Sequence, residues 1–80
     1  MRPIFIMVKC APGTAYDVAA TALDTVEQVS EVYSISGQYD LLIKCILPSE
    51  MDVGRFVTSQ IQMLAHVTDT QTIITFNAFT

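Results

Sequence analysis

The 80-residue sequence predicts an α+β domain, a four-stranded antiparallel sheet with two helices on one face. Three observations carry that prediction. Four short runs rich in β-branched and aromatic residues recur along the chain, two stretches with apolar residues at helical spacing separate them, and Gly, Pro or Ser stands at the junctions. The order is β-α-β-β-α-β, and right-handed crossovers then leave few arrangements besides the ferredoxin-like split β-α-β fold.

Each element has its own signal. Residues 3–10 read as the first strand, closed by Pro12-Gly13. Thr14 with Asp17 three residues on forms a capping pattern, and Ala15, Ala19, Ala22, Leu23 and Val26 place a helix over 14–28. Its alanines suit a close approach to a sheet. Residues 31–36 and 39–47 make a β-hairpin around Gly37. Pro48-Ser49 stops the third strand, and Ser49 with Asp52 repeats the capping pattern. Val53, Phe56, Val57, Ile61 and Leu64 then form the stripe of a second helix over 50–65. Gly54 inside it costs about 1 kcal/mol relative to alanine, a cost that a close contact with the sheet would justify. The Thr- and aromatic-rich residues 68–79 complete the sheet.

Strand parity separates two faces. Ile4, Ile6, Val8 and Cys10 share one side of the first strand, as do Leu41, Ile43 and Cys45 of the third, and these face the helices. Phe5, Met7, Leu42 and Ile46 are left on a face that no helix of the chain reaches, where a sheet open to water should be polar. A second copy packed sheet against sheet would cover them, with Lys9 and Lys44 at the rim.

Composition agrees with a partnered surface. Hydrophobic residues make up 51 % and charged residues only 15 %, against about 25 % charged in typical soluble domains. A chain this short buries only about 60 % of its unfolded surface, so its own core is modest. Four Lys and Arg against eight Asp and Glu, a net charge of −4, lack the clustered basic stripe of a nucleic-acid surface. No apolar run approaches the roughly 20 residues of a membrane span and no signal-peptide layout opens the chain, so the expectation is a cytoplasmic protein. Cys10, Cys45 and the single His66 do not make up a zinc ligand set, and both cysteines read as small buried hydrophobes. No metal or cofactor is expected.

The stretch that stands apart chemically is Gly37-Gln38-Tyr39-Asp40, a tight polar turn between two apolar runs. A glycine able to take positive φ, an aromatic with a polar tip and a short carboxylate suit a plain hairpin turn first, and a small-molecule contact loop second. The turn runs into Leu41-Leu42-Ile43-Lys44, and some thirty residues later comes Val67-Thr68-Asp69-Thr70-Gln71-Thr72. With the opening strand ending Val8-Lys9-Cys10 and the following Pro12-Gly13, this pair of motifs resembles the ligand-binding and oligomerisation domain of the Lrp/AsnC family of transcription regulators, across essentially the whole chain.

That resemblance implies a sheet-packed dimer, dimers assembled into an octamer or decamer, and an amino-acid effector bound between dimers. It places the effector site on Gly37, Tyr39 and Asp40 with Thr70 and Thr72 of the same or a neighbouring chain, and Gln38 at the variable position. An α-amino acid needs donors for its carboxylate, which a turn N–H and Thr hydroxyls supply, and an acceptor for its ammonium, which Asp40 supplies. The family normally carries an N-terminal helix-turn-helix domain, and here a strand follows Met1 almost at once, so a stand-alone domain without direct DNA contact is expected. Other readings are a module joining full-length Lrp/AsnC regulators through matching sheets, an amino-acid-binding ACT-type domain, and a small dimeric ferredoxin-like enzyme. The last needs a nucleophile, a base and charge stabilisation in one pocket, and His66, Asp40, Tyr39, Cys10 and Cys45 form no known catalytic spacing.

Overall fold

The computed structural model describes all 80 residues, Met1–Thr80. The elements follow the expected order: β1 (Arg2–Cys10), α1 (Ala15–Thr25), β2 (Val29–Ser34), β3 (Leu41–Leu47), α2 (Val53–Phe56) continued by a π-helical segment (Val57–Ile61), and β4 (Val67–Ile74). The sheet order is β2-β3-β1-β4 with every neighbouring pair antiparallel. This is the ferredoxin-like arrangement.

The parity assignment holds residue by residue. Ile4, Ile6 and Val8 on β1 and Leu41, Ile43, Cys45 and Leu47 on β3 are all buried to within 1 %. They pack with Val18, Ala22 and Val26 from α1 and its exit, and with Phe56, Val57 and Ile61 from the second helical region. All fourteen buried residues are apolar, so this half of the molecule is closed within one chain.

Element ends differ from expectation, and each difference has a local cause. The first helix stops at Thr25 rather than 28, because buried Val26 turns to an extended backbone and Gln28 already accepts a backbone bond from Ile46. Thr14 does not cap it through its side chain; the hydroxyl donates to the Ala11 carbonyl at 2.6 Å instead. The second helix starts at Val53, where Asp52 rather than Ser49 caps it by accepting the Arg55 N–H at 3.0 Å. From Val57 the turns widen, with Gln62 N–H bonding the Val57 carbonyl five residues back, which brings adjacent Phe56 and Val57 and then Ile61 into the core. Gly54 is exposed, and a Cβ there would meet only the Asp52 carboxylate at 3.5 Å, so no close approach to the sheet requires it. His66 lies beyond the helix in left-handed backbone (φ 73°) and contributes its carbonyl, which accepts the Ala11 N–H.

The last strand ends at Ile74 rather than 79. Opposite residue 75 stands Pro3, which has no N–H to extend the ladder, and the Thr75 hydroxyl takes the Pro3 carbonyl at 3.0 Å instead of a backbone bond. Residues 75–80 leave the sheet there.

Candidate functional site

The turn between β2 and β3 is held to β1 by both ends of Asp40. Its backbone N–H donates to the Val8 carbonyl at 2.9 Å, and its carboxylate Oδ2 accepts the Cys10 N–H at 2.7 Å. The side chain thus replaces the carbonyl that a longer β3 would present, and one short charge-assisted bond ties the turn to the end of β1. Ile35 N–H donates to the Asp40 carbonyl at 3.0 Å and closes the loop from the other side. Gly37 has a φ of 107°, which favours glycine. Lys9 Nζ reaches the Gln38 carbonyl at 3.2 Å.

Register decides which of the remaining candidates meet this turn. Gln71 stands opposite Met7 on the open face, and the Tyr39 hydroxyl donates to its Oε1 at 3.2 Å, across β1. Thr70 and Thr72 stand opposite Val8 and Ile6, so their side chains belong to the helix-covered face. There Thr70 Oγ1 accepts from Gln62 Nε2 at 3.0 Å beside a cleft of about 270 Å³. Within one chain, therefore, Tyr39 meets Gln71 on the open side of β4, whereas Thr70 and Thr72 lie on its helix-covered side. Asp40 also borders a cleft of about 290 Å³ with Ala11–Gly13, Ala15 and Tyr16.

On the open face Phe5, Met7, Leu42 and Ile46 are half-buried. Tyr33 and Ile73 flank them at 51 % and 41 % exposure. Lys44 sits among these residues and forms an ion pair with Glu31 at 3.3 Å, while Glu31 also accepts from the Tyr33 hydroxyl. The Tyr33 bond, then Lys44, holds the Glu31 carboxyl below its ordinary value of 4.5, and Glu31 in turn raises Tyr33. The lysine is thus more than a rim residue; it is the neutralised centre of the β2–β3 half of the face.

Gln71 and Gln62 take part in these contacts and were not singled out by spacing, because each acts through a partner 32 or 8 residues away. Another cavity, of about 430 Å³, lies at the other end of the sheet, between the α1 exit and the start of α2, lined among others by Glu27, Asp52, Arg55 and Phe56. Burial raises the Cys45 thiol to about 11, and burial with the nearby Asp40 charge raises Cys10, so neither is a thiolate at neutral pH. No three His, Cys, Asp or Glu side chains gather as a metal set, and no helix is long and apolar enough to cross a membrane.

A single open-faced sheet, with its polar groups on a surface turn rather than in an enclosed cleft, has the form of a small binding domain. The particular kind is set by comparison: the model of the Lrp/AsnC ligand binding domain matches residues 4–80, and the chain belongs to that family. The structure is similar to that of TTHA0845 from Thermus thermophilus, at 28 % identity over 100 % of this chain and 99 % of that one, with a TM-score of 0.89. It shares its fold with E. coli AsnC, at 23 % identity and a TM-score of 0.83 over 98 % of this chain but only 52 % of that one. It likewise shares its fold with the transcriptional regulator NMB0573 of Neisseria meningitidis, solved as a complex with L-methionine, at 18 % identity and a TM-score of 0.83 over 99 % of this chain and 52 % of that one. No curated protein matches the sequence.

Proposed function

We propose that this chain is an amino-acid-responsive assembly domain of a cytoplasmic regulatory system, without catalysis and without direct contact to DNA. Two copies pack through the open sheet faces around Phe5, Met7, Leu42 and Ile46, and dimers associate further into an octamer or decamer. An α-amino acid binds between dimers at Gly37, Gln38, Tyr39 and Asp40 of one chain, with Thr70 and Thr72 supplied by a neighbour. The opposite-face placement of the threonines supports that division, since one chain's own Thr70 and Thr72 lie on the other side of β4 from Tyr39.

The observation that carries this reading is the clamped turn. Asp40 commits Oδ2 to Cys10 and leaves Oδ1 without a partner, on a loop fixed at both ends and open to an approaching chain. A pre-ordered acceptor of this kind suits an ammonium group because little ordering entropy is lost on binding. A neighbour of the same fold holding L-methionine is consistent with the ligand class.

Size exclusion with light scattering, combined with thermal unfolding, run alone and with each of the twenty amino acids, tests it. One amino acid should change the mass or raise the unfolding temperature, by an amount corresponding to about 2.7 kcal/mol at a concentration one hundred times its dissociation constant. Asp40→Asn should abolish that response. A ligand-blind oligomer would instead favour the second reading, a module that joins full-length Lrp/AsnC regulators through matching sheets, to which its shared fold with half of the AsnC chain lends support. Co-purification with such a regulator would then be expected.

A further inference from the structure

The sequence places residues 75–79 in the last strand, and the structure releases them at Thr75. The released segment Phe76-Asn77-Ala78-Phe79 carries two phenylalanines, each 95 % exposed, the most exposed large apolar side chains in the molecule. Other exposed apolar groups, such as Tyr33 at 51 % and Ile73 at 41 %, at least lie against the sheet. Phe76 and Phe79 touch almost nothing of their own chain, and a free arm with two bare aromatic rings is a poor final state in water.

The arm is not a loose end throughout. Thr75 is pinned to the Pro3 carbonyl, so the segment departs from a fixed point at the β1–β4 edge, beside the open face that carries Pro3 and Phe5. Resting on the sheet-to-sheet dimer proposed above, we infer that this arm crosses to the partner and lays Phe76 and Phe79 against the partner's open face or its margin, each copy clasping the other. Area argues for it. Four strands of about seven residues cover roughly 450 Å² in plan, from strand spacings near 4.8 Å and a rise near 3.3 Å. A stable interface buries about 800 Å² per partner. Two phenylalanines at about 150 to 250 Å² each close most of that gap. The exchange is isologous, since a two-fold axis relating the faces also relates the arms, and it yields a closed dimer rather than an open chain of copies.

The occupant is a second copy of this chain and not an unrelated protein, because the feature lacking cover (the arm) and the feature lacking area (the face) belong to the same molecule and leave the sheet side by side. An arm folded back on its own face would cover its own apolar centre and remove the reason to dimerise.

Sedimentation equilibrium on the intact chain, Leu42→Glu, Phe76→Ser/Phe79→Ser and a chain ending at Thr75 separates the two claims. If the intact chain is a monomer, the sheet-to-sheet reading fails and takes this inference with it. If the intact chain dimerises and Leu42→Glu does not, the face is the interface. The double serine variant and the shortened chain should then dissociate at least about tenfold more readily while keeping the same far-ultraviolet circular dichroism. Unchanged dissociation in both would overturn the arm exchange and leave the sheet packing standing. Isotope-filtered nuclear Overhauser spectra on mixed labelled and unlabelled dimers add a direct readout: contacts from the Phe76 and Phe79 rings to open-face side chains should be between chains, and contacts found only within one chain would overturn the proposal.

Discussion

The two faces of the sheet draw on similar large apolar residues of β1 and β3 and end in different states. Ile6 and Met7 are neighbours in β1, Leu42 and Ile43 neighbours in β3, and all four are large and apolar. Ile6 and Ile43 are fully buried under the helices, whereas Met7 and Leu42 are half-buried with nothing above them in one chain. The difference lies in what the chain can place over each face, since both crossovers pass on the same side. The helix-covered face is closed within the fold, whereas the open face presents its apolar residues at the surface of one chain.

Adjacent substitutions in β3 put the largest number on that contrast. Ile43→Ala should cost about 3 to 5 kcal/mol in denaturant unfolding at every protein concentration, as a cavity under the helices. Leu42→Ala, one residue away, should cost under about 1 kcal/mol when the chain is dilute and more when it is concentrated. Equal, concentration-independent losses would mean that the open face is never covered by another copy.

A smaller effect sharpens the link between the faces and the turn. Asp40→Ala removes the charged acceptor of the Cys10 N–H and should destabilise the fold by about 1.5 to 3 kcal/mol in the same unfolding assay, apart from any loss of ligand response. An unchanged midpoint would show that the turn is held by its backbone bonds alone.

The last effect concerns pH and belongs to the covered face. Burial raises the Cys45 thiol from 9.0 to about 11, so the neutral thiol is favoured in the folded chain. The resulting stability is fully present below pH 9.0 and is lost as pH rises toward about 11. Unfolding midpoints measured across that alkaline range should fall, and Cys45→Ala, though less stable throughout, should flatten that slope. A slope unchanged by the substitution would assign the alkaline loss to other groups.

Much of this was legible in the sequence because period-two alternation is local. Ile4, Ile6 and Val8 against Phe5 and Met7 state which residues share a face with no knowledge of the third dimension. The turn at Gly37 was readable for the same reason, as was the family motif that runs through it. The helix ends were not, because their causes lie elsewhere: Val26 leaves the helix to fill the core, and Gln28 is claimed by Ile46 on another strand. The last strand read five residues too long because β-propensity in Thr75–Phe79 is indifferent to Pro3, its would-be partner more than seventy residues earlier.

The division has a physical basis. Order of elements, strand parity, the surplus of apolar residues and the acidic balance follow from the chain by itself, since they depend on side-chain type at fixed spacing. Register between strands distant in sequence was decided only in the folded molecule. That register put Thr70 and Thr72 on the face away from Tyr39, gave Asp40 to Cys10, and left Phe76 and Phe79 without cover. A hydrogen bond or a contact is a relation between two positions, and one-residue slips in pairing reverse which face a side chain occupies, so only the assembled sheet assigns them.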